Sequence, residues 1–282
     1  MSKKVFLKGT LILACTGLVS RIAGFFYRIF LSHAIGAEGL GLYQLILPLQ
    51  GLMAALSYTG IQSALSRLIA SRLALQEKKE AYFSLVTGIF AAVFFSAVTG
   101  FLLFRHADFF ASTILKAPGT SDLLRLTAAS IPLCAIHSCI DSYYYARKKA
   151  SVPAAVQLSE QTVRIGATYI LYLIFLSEGR PVTAMIAAGG SLAGEAAASL
   201  ISLLMVSFHF GNHPVKEKTS VKIFPLIKDL FTLSFPISLN RILLTLLGSI
   251  EAVLIPQMLI RCGMTSSEAL KIYGIFTGMA LP

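Results

Sequence analysis

The stretch FSLVTGIFAAVFFSAVTGFLLF, residues Phe83–Phe104, contains no ionisable side chain. It is longer than the ~20 apolar residues that a helix needs to cross the hydrocarbon core of a membrane. Backbone amides in hydrocarbon must form hydrogen bonds within their own segment, and membrane strands are shorter and alternate in polarity. This stretch therefore predicts a transmembrane α-helix.

Similar apolar segments recur along the whole chain of 282 residues. Hydrophobic residues make up 56% of the sequence and charged residues only 13%, whereas soluble domains carry about 25% charged residues. We therefore predict an all-α fold, a polytopic membrane helix bundle with seven complete transmembrane helices and a truncated eighth. The complete segments are Leu7–Leu31, Leu40–Tyr58, Phe83–Phe104, Leu123–Tyr145, Ala154–Leu176, Val182–Phe208 and Pro236–Ile260, and the incomplete one runs from Leu270 to Pro282.

The distribution of positive charge predicts the orientation in the membrane. The formal net charge is +11, and the cytoplasmic loops of membrane proteins collect Lys and Arg. With the N-terminus in the cytoplasm, most of the 24 Lys and Arg residues fall in segments on that side. We expect a multi-pass protein of the cell (plasma) membrane with a cytoplasmic N-terminus, and no binding of nucleic acid.

Two amphipathic stretches, Gly60–Leu75 and Ser220–Leu233, are typical of helices that lie along the cytoplasmic face of a membrane. The second lies in the longest predicted loop. We expect three parts: a first six-helix transmembrane lobe at 1–210, a cytoplasmic loop with an amphipathic helix at 211–235, and the start of a second lobe at 236–282.

A weak internal repeat supports this division. Leu40–Tyr43 opens the second segment and Leu270–Tyr273 opens the eighth, and the preceding segments carry Arg21 and Arg241. Transporters are commonly built from repeated halves. Because the second half stops after two helices, we expect the sequence to be a fragment or an interrupted gene product.

Arginines inside the predicted spans are candidates for substrate binding. Ionisable groups in a membrane face a cavity or a partner, and a guanidinium forms bidentate bonds with phosphate. Their approximate depths, counted along the helices, predict a ladder along which an anionic headgroup crosses, although Arg28 could instead extend to the outer interface. The predicted substrate-binding residues are Arg21, Arg28, Arg164, Asn240 and Arg241.

Acidic residues in the same segments are candidates for support or ion coupling. Glu160 lies four residues before Arg164, the spacing of an intrahelical ion pair, whereas Glu195 has no partner that the sequence identifies. His137 and Asp141 share a helix face, but a metal would need more ligands than these two, and we expect neither metal nor cofactor. The acidic candidates are Asp141, Glu160, Glu195 and Glu251.

Five stretches together resemble one known family: Gly17–Arg28, Ile35–Tyr43, Tyr58–Arg67, Gln157–Arg164 and Ile272–Pro282. In order and spacing they are similar to the polysaccharide exporters of the MOP superfamily, in particular the stage V sporulation protein B-like flippases, and more distantly the lipid II flippases. The resemblance implies a two-lobed, MATE/MOP-like bundle of which this sequence is the N-terminal part.

The resemblance implies a membrane flippase or exporter that moves undecaprenyl-pyrophosphate-linked oligosaccharide or peptidoglycan precursors by alternating access, with Arg21 and Arg28 contacting the pyrophosphate. Expected partners are this anionic lipid-linked sugar, membrane lipids and cell-wall synthesis proteins. We expect no enzyme, because no soluble-enzyme motif is present. Three alternatives stay open: a multidrug/cation antiporter of the same superfamily, a membrane-integral transferase that uses His137 and Asp141, and a non-transporting scaffold in cell-wall or sporulation assembly.

Overall fold

The computed structural model describes residues 3–212 and 223–280, and every regular element in these two ranges is a helix. Each predicted apolar segment lies on one of these helices apart from a few residues at the segment ends, so the all-α helix-bundle fold is confirmed. Short turns of π- and 3-10 helix follow α4 and α9. The helices are α1 (Lys3–Ser57), α2 (Thr59–Ala74), α3 (Lys78–Arg105), α4 (Ala107–Phe109), α5 (Ser121–Ala146), α6 (Ser151–Ser177), α7 (Met185–Asn212), α8 (Ile223–Arg261) and α9 (Ser266–Ile275).

Helix α1 contains the first predicted segment and all but the last residue of the second, and Gly36 lies between them. This residue has φ 71° and ψ 171°, a non-helical conformation that divides α1 into two helical stretches. A positive φ is accessible to glycine without the steric cost that a side chain would bring. The two predicted segments are therefore separated by a sharp break in the helix rather than by a loop.

Five stretches in the described helices are long and apolar enough to cross a membrane. Sequence analysis predicted seven complete spans. The difference lies in α1, where two predicted segments are joined, and in α6, which is not among the five. The five stretches are Gly9–Ser57, Lys78–Arg105, Pro118–Ala146, Met185–Asn212 and Ile223–Arg261.

Helix α8 differs from expectation because it runs for 39 residues without a break. Sequence analysis separated an interfacial helix at 220–233 from a span that begins at Pro236, whereas the structure continues the helix through this proline. Residues 220–222 lie outside the described residues. A proline in a helix costs about 3 kcal/mol, and the burial of Leu226 and Leu230 on the preceding turns offsets that cost.

Helix α2 covers the other stretch that was predicted to lie along the membrane face. Its apolar residues are buried, and they pack in one cluster with residues of α3 and α5. Protein, rather than lipid, therefore covers the apolar face of α2. The buried residues are Gly60, Ile61, Ala64, Leu65, Leu68 and Ile69.

The buried side chains form two apolar clusters at different heights in the bundle. One cluster includes Leu31, Leu40 and Leu124, and the other includes Leu65 and Ile140. Helices α5 and α7 contribute to both clusters. Glu195 lies between the two contributions of α7, whereas His137 and Asp141 on α5 lie among the residues that this helix contributes to the second cluster. These side chains belong to a polar layer inside the core of the bundle.

Large apolar side chains cover the outside of the bundle. Phe90, Phe101 and Phe208 are 73%, 67% and 70% exposed. In water such a surface would be strongly unfavourable, whereas lipid tails accommodate it. The exposed aromatic side chains therefore agree with a protein that lies in a membrane.

Candidate functional site

The polar layer is formed by five charged or titratable side chains on α5, α6 and α7. Each of them is partly buried inside the bundle. Sequence analysis singled out all five, but it did not bring the three helices together. The residues of this layer are His137, Asp141, Glu160, Arg164 and Glu195.

Arg164 on α6 provides the positively charged guanidinium group of the polar layer. Its Nη2 atom pairs with Glu160, as their spacing predicted, and lies 3.8 Å from Oε1 of Glu195 on α7. Its Nη1 atom donates to Oε1 of Gln161 at 3.1 Å. Two carboxylates of the protein therefore compensate the charge of Arg164, which makes its burial possible.

Glu195 also contacts His137 on α5. The Nε2 atom of His137 lies 2.9 Å from Oε2 of Glu195, and Nδ1 lies 3.8 Å from Oδ2 of Asp141. The side chains of His137 and Glu195 are only 14% and 12% exposed. Sequence analysis left Glu195 without a partner, and the structure supplies two, one from each neighbouring helix.

Two glycines on α7 allow α6 to approach the layer closely. A Cβ atom built on Gly194 would lie 3.0 Å from the carbonyl oxygen of Glu160 and 3.1 Å from Cβ of Arg164. A Cβ on Gly190 would meet the side chain of Thr168 and lie 2.8 Å from the carbonyl oxygen of Arg164. The small residues of α7 thus determine the distance between Arg164 and Glu195.

Helix α1 is attached to the layer by two tyrosines that sequence analysis did not identify. The hydroxyl of Tyr27 forms a 3.0 Å hydrogen bond with Thr168 of α6, and that of Tyr43 forms one of 3.0 Å with Ser191 of α7. Buried tyrosines require hydrogen-bond partners, which is a signal that the sequence offers. The partners are more than 100 positions away, so spacing along one helix does not reveal them.

The predicted arginines of α1 lie in different surroundings. Arg21 is exposed, and its neighbour Ser20 accepts a 3.4 Å hydrogen bond at its carbonyl oxygen from Gln161 of α6. Arg28 is half-buried, and its Nη1 atom lies 3.4 Å from the carbonyl oxygen of Gly278, in the π-helical turn that follows α9. Of these two residues, Arg28 is therefore the one in contact with the last described helix.

On α8, Asn240 and Arg241 are both exposed. The neighbouring polar positions contact other helices, because Ser238 packs on Gly60 and Thr245 comes within 4.0 Å of a Cβ built on Gly51. Part of the polar surface of α8 therefore contacts α1 and α2. Within residues 3–212 and 223–280, neither Arg21 nor Arg241 forms an ion pair.

Glu251 lines a cavity of about 260 Å³ between α1, α8 and α9. Gln44, Tyr273 and Thr277 provide further polar groups to a wall that is otherwise mainly apolar. Pockets for small ligands usually measure about 300–1,000 Å³, so this cavity is too small for a complete lipid-linked sugar. Ion coupling through Glu251 or through the polar layer stays a prediction.

The fold, with its lipid-facing surface and internal polar layer, defines the class as a polytopic helical membrane protein. The chain belongs to the polysaccharide biosynthesis protein family, whose sequence profile matches residues 6–279. This agrees with the resemblance found from the sequence motifs.

Curated relatives come from Bacillus subtilis (strain 168). Stage V sporulation protein B is 32% identical over 290 residues, which cover 100% of this chain and 55% of that protein. The uncharacterized membrane protein YabM is 24% identical, covering 95% of this chain and 50% of the relative. Lipid II flippase MurJ is 24% identical, covering 62% of this chain and 34% of the relative. The chain thus spans about half the length of the first two.

A solved structure described as "protein A" has the same fold. It superposes with a TM-score of 0.66 at 17% identity, covering 99% of this chain and 62% of that chain. At this level of identity the likeness shows the fold alone. It places the described helices in an arrangement that a longer protein also uses.

Proposed function

We propose that this chain is part of a flippase that moves an undecaprenyl-pyrophosphate-linked oligosaccharide or peptidoglycan precursor across the membrane by alternating access, and that it is not an enzyme. Its membership of the polysaccharide biosynthesis protein family supports this at the level of the family. A relative named lipid II flippase points to the same class of lipid-linked substrate.

The proposal rests mainly on the exposure of Arg21 and Arg241 and on their lack of an ion-pair partner in the part of the chain that the structure describes. Both are exposed on hydrophobic helices and have no ion-pair partner among the described residues. An arginine at the centre of a membrane helix costs about 2.5–3.5 kcal/mol. A pyrophosphate headgroup would offset this cost through charge-assisted hydrogen bonds with the guanidinium groups.

Arg164 has a different role in this proposal. Glu160 and Glu195 already compensate its charge. We therefore assign Arg164 to the support of the lobe, and Arg21, Arg28, Asn240 and Arg241 to the substrate path. The polar layer joins α5, α6 and α7 into a unit against which α8 and α9 could move.

A flipping assay tests the proposal. The chain is reconstituted in liposomes that contain a fluorescent undecaprenyl-pyrophosphate-linked sugar, and a membrane-impermeant quencher reports the label on the outer leaflet. We expect the protein to accelerate label movement, and Arg21→Ala and Arg241→Ala each to abolish this with unchanged membrane abundance. The control is Arg180→Ala, because Arg180 lies outside the long helices and pairs with Glu178 at 2.9 Å.

Two outcomes would contradict the proposal. Full activity in both arginine variants would remove the substrate path through these residues. Movement of cationic dyes without movement of the labelled lipid would support the cation antiporter, whose substrates require acidic rather than arginine-rich walls.

A further inference from the structure

Cys134, His137 and Glu195 place a thiol, an imidazole and a carboxylate around one point inside the bundle. Their candidate donor atoms all lie within 4.8 Å of one another. We propose that these three side chains bind one divalent transition-metal ion, and that Zn²⁺ is the ion that fits best. This site is separate from the proposed substrate path and does not depend on transport.

The donor set matches the chemistry of zinc. Zn²⁺ binds cysteine sulfur at about 2.3 Å and histidine nitrogen or carboxylate oxygen at about 2.0–2.2 Å, usually with tetrahedral geometry. Such bonds hold the donor atoms about 3.3–3.7 Å apart. Because Nε2 of His137 and Oε2 of Glu195 are 2.9 Å apart, rotations of the side chains, without displacement of the helices, would admit the ion.

The three donors lie on well-packed helices. Cys134 and His137 are three residues apart on α5 and therefore share a face, while Glu195 faces them from α7. One turn beyond Glu195, the hydroxyl of Ser199 donates a 2.6 Å hydrogen bond to the carbonyl oxygen of Leu133. This bond joins the two helices beside Cys134, so the donors are held on rigid elements.

The carboxylate of Asp141 lies on the side of His137 that would face away from the metal, near the ring nitrogen that does not bind the ion. With Nε2 directed at Glu195, the other ring nitrogen of His137 lies 3.8 Å from the Asp141 carboxylate. Both Nδ1 of His137 and Oδ1 of Asp141 are buried without a hydrogen-bond partner. Metal-ligating histidines commonly direct their second nitrogen at a carboxylate, which orients the ring and strengthens the ligand.

The charge balance also favours a divalent cation. Arg164 keeps its direct ion pair with Glu160 when Glu195, whose carboxylate lies 3.8 Å from the guanidinium, binds the ion. The thiolate of Cys134 and the carboxylate of Glu195 together supply two negative charges, which match the charge of a divalent ion, while His137 binds the ion as a neutral imidazole. The thiol of Cys134 releases its proton to solvent when the metal binds.

The types of donor atom favour binding of Zn²⁺ over the cations that transporters more commonly bind. Na⁺ is a hard cation like Mg²⁺, which is bound by oxygen atoms, whereas thiolate sulfur selects softer metals such as zinc. Bound between α5 and α7, the ion would connect two helices of the same lobe. Its role is therefore structural, and it stabilises the part of the bundle that contains the polar layer.

Cobalt titration tests the proposal directly. The full chain, with the exposed Cys15 and Cys262 replaced by serine, is purified in detergent, treated with a chelator and titrated with Co²⁺. We expect one Co²⁺ per chain, with a sulfur-to-cobalt charge-transfer band and the visible bands of a tetrahedral ion. Stoichiometric Zn²⁺ should remove these bands.

Variants locate the ion. Cys134→Ser should abolish the charge-transfer band, and His137→Gln and Glu195→Gln should each weaken binding by at least about tenfold. The matched control is Cys139→Ser, because Cys139 is also buried on α5 but its sulfur lies 3.9 Å from the carbonyl oxygen of Gly88. This control should bind Co²⁺ unchanged.

The parent chain alone can overturn the proposal, so the result does not depend on the folding of any variant. Absence of a charge-transfer band in the folded parent would overturn it. So would a band that persists in Cys134→Ser or that disappears in Cys139→Ser while that variant stays folded by circular dichroism.

Discussion

The Nη2 atom of Arg72 lies 2.9 Å from Oδ2 of Asp229, and this ion pair joins α2 to α8. The Nη1 atom of the same residue lies 3.2 Å from Glu77 and 3.0 Å from Glu80. One guanidinium thus holds three carboxylates, from the turn before α3, from α3 and from α8. It connects the predicted first lobe to the helix with which the predicted second lobe begins.

Removing this guanidinium should destabilise the chain more than removing one of its partners. Arg72→Ala leaves three neighbouring carboxylates that repel each other, and we expect a loss of about 1–3 kcal/mol. Asp229→Asn should cost at most about 1 kcal/mol, because the carboxylate of Asp229 is partly exposed to solvent. Unfolding in a denaturing detergent, followed by circular dichroism, measures both.

The control for this pair is Arg180→Ala. Arg180 and Glu178 form an ion pair whose side chains are 65% and 46% exposed, and exposed pairs contribute little. Its unfolding should match that of the parent chain. Equal stability of Arg72→Ala and Asp229→Asn would show that the three carboxylates do not act through Arg72.

Arg164→Leu should be one of the most destabilising single changes in the bundle. It leaves Glu160 and Glu195 buried without their guanidinium, and breaking a buried ion pair in this way costs about 3–5 kcal/mol. The double variant Glu160→Gln/Arg164→Leu should recover part of the loss, because it removes one carboxylate together with the guanidinium. A double-mutant cycle on the unfolding free energies measures the coupling, and additive effects would contradict it.

Gly194→Val should force α6 and α7 apart. The new side chain would meet the backbone of Glu160 and the Cβ atom of Arg164, and overpacking of this kind costs about 1–3 kcal/mol. The matched control is Gly166→Val on α6, where a Cβ atom has nothing within 4 Å. Thermal unfolding should show a clear loss for the first variant and little change for the second, and similar curves would contradict the close approach.

Labelling of Cys262 tests the proposed orientation. Cys262 is exposed between α8 and α9, a position that lies outside the cell if the N-terminus is cytoplasmic. In a Cys15→Ser background, a membrane-impermeant maleimide should label Cys262 in intact cells. In a Cys15→Ser/Cys262→Ser background carrying Lys149→Cys, from the turn between α5 and α6, labelling should occur only after lysis. The reverse pattern would place the N-terminus outside.

The sequence predicted helix bounds best where a long apolar run alone determines the helix. The apolar run Phe83–Phe104 lies within α3, Lys78–Arg105, because only a helix satisfies so long an apolar backbone in lipid. The prediction that a helix begins at Pro236 was wrong, because α8 continues through this proline. A helix can contain a proline when the burial of neighbouring turns offsets its cost. The length of α8 therefore depended on its packing against other helices, which a single segment does not encode.

The sequence predicted contacts of the candidate site between residues on the same helix, but not contacts between different helices. The Glu160–Arg164 pair follows from positions four residues apart on one face. The contact between His137 and Glu195 joins residues 58 positions apart, and it depends on how α5 and α7 pack. Cys134 lies one turn before His137, so their spacing on one face was a signal, but without Glu195 it did not define a site.

The length of α8 has a mechanical consequence. At 1.5 Å per residue its 39 residues extend about 58 Å, nearly twice the ~30 Å hydrocarbon thickness. Even at a tilt of about 40°, the upper end of the observed range, it would reach about 45 Å along the bilayer normal. Part of α8 must therefore project into the headgroups or the water. A force applied to the projecting end would tilt the whole helix and so move the part of it that lies within the bilayer.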